Sequence, residues 1–361
     1  IKECDWSSDV CSSDLDDCGC CPPRGLTRRA FLATGAAAAA SPFVARAQTP
    51  HRVDVHHHIF PRAVMDLQEK LNSRWGKLET PRGLPQWTPR MMLDDMEKNG
   101  VASVVISPAG PGAWYGDVAG ARQICRAWNE YAATLKRDHG KRVGVFALVA
   151  LPDVDGSLRE IEYAYDTLKL DGVAFYSSYD QKYPGDEKYA PVWAELNRRK
   201  AIVFFHPVAC CGALVPGMPT NAYELPFDTT RAIASLMFSG VLSRNSDIRF
   251  VFSHAGGAMP MLAGRVDDLT KNMKSLRDKA PEGVPTLLRK LNVDTAGAFF
   301  PGAMAATRRM LPDTNILYGS DFPYSSSQEA VAGLAANGLP AAALAGIEGA
   351  NAYALFPHLK G

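Results

Sequence analysis

From Arg52 onward the chain alternates between short apolar runs and longer stretches with helical spacing. The apolar runs fall at 52–59, 101–107, 143–149, 172–177, 201–206, 249–254, 291–295 and 315–320, and most are rich in Val, Ile, Ala and Phe. Apolar residues at both parities over so short a span mark strands buried on both faces. Between the runs, 117–137 carries Ile124, Trp128, Tyr131 and Leu135 on one helical face, and 156–169, 188–199 and 228–244 read as helices too. Strands alternating with helices imply parallel pairing, because parallel neighbours need a crossover. Eight such strands over about 300 residues predict a closed (β/α)8 TIM barrel rather than an open sheet. An open doubly wound sheet is the alternative, but no Gly-x-Gly-x-x-Gly follows the first run. No linker or internal repeat divides 48–361, read as one barrel domain. The first connection, 61–88, is long and holds Trp75, Pro81, Gly83, Pro85 and Trp87, as a lid over a site would. The tail, 326–357, is alanine-rich and helical and is predicted to pack outside the barrel.

Composition removes several classes of function. The 361 residues are 47% hydrophobic and 21% charged with a net charge of +1, so neither nucleic acid nor an anionic surface is an expected partner. No run beyond the N-terminal segment is long and apolar enough to span a bilayer. Of eight cysteines, five precede residue 22; Cys125, Cys210 and Cys211 remain, too few and too oddly placed for a disulfide framework. Residues 1–25 repeat Ser-Ser-Asp around cysteines without any period, and read as a non-native or disordered leader. In 26–47, Arg28-Arg29, the alanine stretch from Ala33 to Ala40 and Ala45-Arg46-Ala47 form a twin-arginine signal peptide. Cleavage after Ala47 would deliver a folded protein to the periplasm.

The chemistry gathers where apolar runs end. Val53-Asp54-Val55-His56-His57-His58 closes the first run with imidazoles. By strand alternation Asp54, His56 and His58 share one face, and Val55 and His57 the other. His206 ends the fifth run, His254 the sixth, Asp294 the seventh, and Asp321 follows the eighth. All strand C-termini of a barrel open on one face, so these residues converge although far apart in the chain. Three histidines and one aspartate suit zinc, with manganese as the alternative, and a fourth histidine is then free to move protons. Asp54 reads either as a carboxylate orienting a ligand histidine or as a distal ligand, and Asp294 as a carboxylate at the same mouth that supports the ligands from behind. His51, His139 and His358 lie away from strand ends. Trp75, Trp87, Tyr176, Phe299 and Phe300 are candidates for an aromatic wall.

Asp-x-His-x-His-x-x-x-Pro, then His206-Pro207, then Ser253-His254-Ala255-Gly256-Gly257 with Arg265 beyond, then Tyr318-Gly319-Ser320-Asp321-Phe322-Pro323 resembles the amidohydrolase-related family over roughly 52–357. Within it the pattern is similar to the aminocarboxymuconate-semialdehyde decarboxylase branch. Asp171-Gly172-Val173 and Leu225-Pro226-Phe227-Asp228-Thr229-Thr230-Arg231 look like the 6-methylsalicylate decarboxylase group. The resemblance implies His56, His58, His206 and Asp321 as metal ligands, His254 and Asp321 as catalytic residues, and Arg265 as reaching a substrate carboxylate in a neighbouring subunit of a homodimer. No lysine stands at the end of the fourth run, Phe175-Tyr176-Ser177-Ser178, which argues for one divalent ion and no bridged pair. His57 reads as a packed bystander. The implied reaction is non-oxidative decarboxylation of an aromatic or unsaturated, salicylate-like carboxylic acid, without an organic cofactor. The alternative is hydrolysis of a lactone or amide at the same metal. A decarboxylase needs a cation for the substrate carboxylate, and Arg62, Arg90 and Arg265 are the candidates.

Overall fold

The computed structural model describes residues 51–71, 87–110, 112–208 and 217–360. The leader, the signal peptide, Trp75, Cys210 and Cys211 lie outside them, as does most of the long first connection. The eight runs form β1 (Arg52–His58), β2 (Val101–Ser107), β3 (Val143–Leu148), β4 (Gly172–Tyr176), β5 (Ile202–His206), β6 (Arg249–Phe252), β7 (Asn292–Asp294) and β8 (Ile316–Leu317). They pair in parallel in chain order. Beyond the short β8 the sheet closes on β1: Val55 N–H donates to Tyr318 O at 3.0 Å, Asp321 N–H to His56 O at 2.9 Å and His58 N–H to Phe322 O at 2.7 Å.

The connecting helices are α1 (Arg62–Leu71), α2 (Pro89–Asn99), α3 (Val118–His139), α4 (Val154–Glu162), α5 (Ala190–Arg198), α6 (Thr220–Phe238), α7 (Met259–Asn272) and α8 (Pro301–Met310). Side chains of alternate parity separate two cores. Val104, Ile106, Val145, Ala147, Val203, Phe205 and Phe252 pack outward under the helices. Val53, Val55, Val105, Phe146, Ala174, Phe204, Val251 and Leu317 fill the lumen.

Three features differ from the sequence reading. The helix read at 228–244 begins at Thr220, encloses Pro226 and ends at Phe238; Gly240, at φ 77°, separates it from a short turn at Val241–Arg244. The helix read at 156–169 begins at Val154 and widens into a π-turn at Tyr163–Thr167. The tail forms α9 (Ser327–Ala335) and α10 (Asn351–Leu355), but does not stay outside: Ala352, Phe356 and Leu359 join the lumen cluster. The Phe356 ring meets Phe146 edge-on at 5.7 Å, so the tail stoppers the barrel at the end opposite the ligand histidines.

Candidate metal centre

β1 brings two ligands inward by breaking its own alternation. Its register against β2 slips between Asp54 and His57, the local irregularity that a bulge produces. Val53 and Val55 therefore face the lumen, and so does His56, whose ring lies 5.2 Å from Phe204. Asp54 consequently does not share the face of His56 and His58. Its carboxylate accepts from His57 Nδ1 at 3.0 Å and from Ser320 Oγ at 2.6 Å and Ser320 N at 3.0 Å. It touches His56 only at the backbone, through His56 N at 3.1 Å. Asp54 is thus a clamp between β1 and the turn that carries Asp321. His57 is buried, stacked on Phe322 at 4.7 Å and tied to that clamp.

The four ligand atoms of His56, His58, His206 and Asp321 lie within 4.8 Å of one another, the one such group among the described residues. His56 Nε2 and His58 Nε2 stand 3.1 Å apart, and each is 3.2 Å from Asp321 Oδ1. Ligands about 2.1 Å from a tetrahedral ion are about 3.4 Å from one another, close to these separations.

The other nitrogen of each ring decides what faces the centre. His56 Nδ1 meets Asp294 Oδ2 at 2.9 Å. His206 Nδ1 meets Pro207 O at 2.9 Å. His58 Nδ1 meets Ser107 Oγ at 3.2 Å and Ser107 O at 3.3 Å. A carboxylate or carbonyl accepts only, so Nδ1 of His56 and His206 carries the proton, and Ser107 favours the same tautomer in His58. With His56 neutral, three Nε2 lone pairs point at one another and at a buried carboxylate oxygen, Asp321 Oδ1, that no donor among the described residues satisfies. Such a cage is repulsive until a cation fills it, and zinc or a similar divalent ion fits the donor set. The electrostatics show the same demand for positive charge, which a proton on His56 meets when no ion is bound. Burial opposes charge on His56, yet Asp294 and Asp321 outweigh it and hold its pKa up at about 10. Burial drives His58 down and His206 well down. Burial also opposes the charge on Asp321, but His56 first, and then His254 and His58, hold it well below the ordinary carboxylate range.

Asp294 does not line the mouth. It is fully buried, orients His56, and through Oδ1 accepts His254 N and Ala296 N, each at 3.0 Å. His254 follows β6 in the left-handed region at φ 54°, and Asp321 sits at φ 63°, conformations that cost roughly 1–3 kcal/mol each when not glycine. His254 Nε2 stands 3.6 Å from Asp321 Oδ2, beside the ligand set and not in it, and its Nδ1 has no hydrogen-bond partner among the described residues. Gly319 makes the packing possible: a Cβ there would lie 2.9 Å from the Cβ atoms of both His56 and Asp294.

Arg62 pairs with Asp66 and Glu69, and Arg90 with Asp94, both on the surface. Arg265 is exposed on α7. Of the proposed aromatic wall, Tyr176 is buried 6.4 Å from the His206 ring, Trp87 is core, and Phe299 packs on the 60%-exposed Phe300. Sequence reasoning passed over Ser107 and Tyr324. Ser107 ends β2, so its place at a strand end was the available signal. Tyr324 lies just beyond Asp321, its ring edge-on to His58 and Phe60 at 5.6 Å and half exposed.

Residues 53–358 match the family model described as amidohydrolase, Amidohydro_2. The chain is 33% identical over 292 residues to the decarboxylase yanB of Aspergillus niger, covering 76% of this chain and 77% of that protein. It is 31% identical over 322 residues to the 6-methylsalicylic acid decarboxylase of Penicillium expansum, covering 86% of this chain and 97% of that one. Among solved structures, the 5-carboxyvanillate decarboxylase of Novosphingobium aromaticivorans, with bound manganese, has a similar fold: TM-score 0.76 at 18% identity, covering 85% of this chain and 97% of that one.

Proposed function

Because this chain belongs to the amidohydrolase family, we propose that it is a metal-dependent, non-oxidative decarboxylase of a salicylate-like aromatic acid. One observation carries the reading: three imidazoles with anchored Nδ1 atoms aim Nε2 at Asp321, while a fourth, His254, stays outside the set beside the same carboxylate. The names of the decarboxylase relatives support the reaction class. His56, His58, His206 and Asp321 would hold a divalent ion, which would supply Lewis-acid polarisation of a substrate oxygen. The bond between the ring and its carboxylate breaks, CO2 leaves with no change of oxidation state elsewhere, and the electron pair left on the ring carbon takes a proton. His254 is the group placed to deliver it, with Asp321 Oδ2 adjoining as its relay partner. No organic cofactor is needed, since the pair released from the broken bond is taken up directly by the incoming proton and no electron sink is called for.

Zinc is the ion we assign on the nitrogen-rich donor set; the manganese in the carboxyvanillate decarboxylase favours the second candidate. Arg265 on α7 is flanked one turn each way by exposed Met261 and Leu269. Apolar neighbours around an exposed guanidinium support a homodimer in which Arg265 meets the partner's substrate carboxylate. The twin-arginine segment supports a periplasmic mature chain from Gln48.

The test is metal analysis of the purified protein together with CO2 release from a panel of salicylates. One ion per chain with CO2 evolved is the expected result. Turnover of lactones or amides without CO2 would move the protein to hydrolysis, which the same ion and histidine also serve.

A further inference from the structure

Asp228 on α6 is 1% exposed and takes no part in the chemistry above. It belongs to the segment Leu225–Arg231, distinctive in sequence but without a role so far. Its Oδ2 accepts from Ser177 Oγ, and at 3.4 Å from Ser178 Oγ; Oδ1 accepts from Tyr183 OH at 2.8 Å. Among the described residues the cation paired with it is the Arg231 guanidinium, 3.9 Å away and 43% exposed. Dehydrating a carboxylate for three neutral hydroxyls is a costly arrangement, and its use lies on the far side of Ser177.

Ser177 Oγ accepts the N–H of Val208 at 2.9 Å, and Ser177 N–H donates to His206 O at 2.9 Å. Between those two points lies Pro207, whose carbonyl takes the His206 Nδ1 proton. Ser177 therefore holds both peptides that flank Pro207, and the second of them carries the carbonyl that sets the tautomer and direction of His206. Asp228 fixes the hydroxyl rotor: with its proton committed to an acceptor-only carboxylate, Ser177 presents a lone pair to Val208. We propose that Asp228 is a positioning residue for His206, acting through Ser177 and the 207–208 peptide to aim Nε2 at the metal centre. The inference rests on the assignment of His56, His58, His206 and Asp321 as the metal site.

Chelator-competition titration of the full chain with zinc and with cobalt separates the two levels. The set is wild type, Asp228→Asn, Ser177→Ala, Ser177→Thr and His206→Ala, each with its thermal midpoint measured metal-free. An amide at 228 donates as well as accepts and frees the Ser177 rotor, while threonine at 177 keeps the hydroxyl. The expected result is weakening of roughly 10- to 100-fold in Asp228→Asn and Ser177→Ala, a changed visible cobalt spectrum in both, and recovery in Ser177→Thr. Wild-type affinity and spectrum in both Asp228→Asn and Ser177→Ala, whatever their thermal midpoints, would reduce Asp228 to a structural tie and overturn the proposal. Equal binding by wild type and His206→Ala would instead overturn the metal assignment beneath it. If Asp228→Asn fails to fold, Ser177→Ala, which removes a single oxygen, decides alone.

Discussion

At the residue scale the division of labour among four histidines is set by what each second nitrogen touches. His254 has its backbone held by Asp294 and its ring beside Asp321; it has no share in the ligand cage. His254→Ala should therefore lower kcat by roughly 10²- to 10⁴-fold with metal stoichiometry unchanged, read by steady-state kinetics alongside elemental analysis. Loss of the metal would make it a ligand instead. Asp294→Asn is expected to do the reverse. An amide can turn its NH2 toward His56 Nδ1, invert the tautomer and weaken metal binding by roughly 10- to 100-fold, measurable by chelator competition. The ligand identities were legible in the sequence because each is the polar end of an apolar run. Of their partners, Asp294 was legible as a supporting carboxylate at a strand end; Ser107 and Pro207 O were passed over, because they act through hydrogen-bond directions that residue type alone does not encode.

At the element scale the strands were legible nearly to the residue, and the exceptions have causes. Alternation put Asp54 with His56, but the β1 bulge is a property of pairing with β2, not of β1's composition. The start of α6 was read two residues past Pro226 because proline is a helix breaker by default. β8 is only Ile316–Leu317 long, since beyond it the chain must swing Asp321 into the centre. Gly319→Ala tests that swing. The added methyl would push β1, β7 and β8 apart where they are closest, costing about 1–3 kcal/mol by overpacking and lowering metal content, read by thermal melts and metal analysis. Farther out, Glu195 at the end of α5 is held at a pKa of about 2, first by Arg198 and then by Arg199, while Arg199 also reaches Asp166. A depressed carboxyl pKa stabilises the fold above the unfolded value of 4.5 and loses that contribution as pH falls toward 2. Glu195→Gln should flatten the acid limb of a melting-temperature profile over that window, leaving the midpoint near neutrality lower by a small amount.

At the scale of the whole molecule the barrel followed from counting strand and helix alternations, because eight buried strands separated by crossovers leave few other closures. The tail defeated the same logic: its alanine-rich pattern shows that it is helical but not which surface it covers. Phe356 is 1% exposed inside the lumen cluster, and the following His358 is tied to Asp171 at 2.9 Å. Phe356→Ala should cost about 3–5 kcal/mol, seen as a lower denaturation midpoint with the metal retained. The stopper also fixes the traffic of the reaction. With one end of the barrel packed solid by Val53, Val55, Phe146, Phe204 and Phe356, the vessel has a single door. The acid that arrives and the two molecules that leave would then share it, so a new acid enters only after the old ring has stood aside.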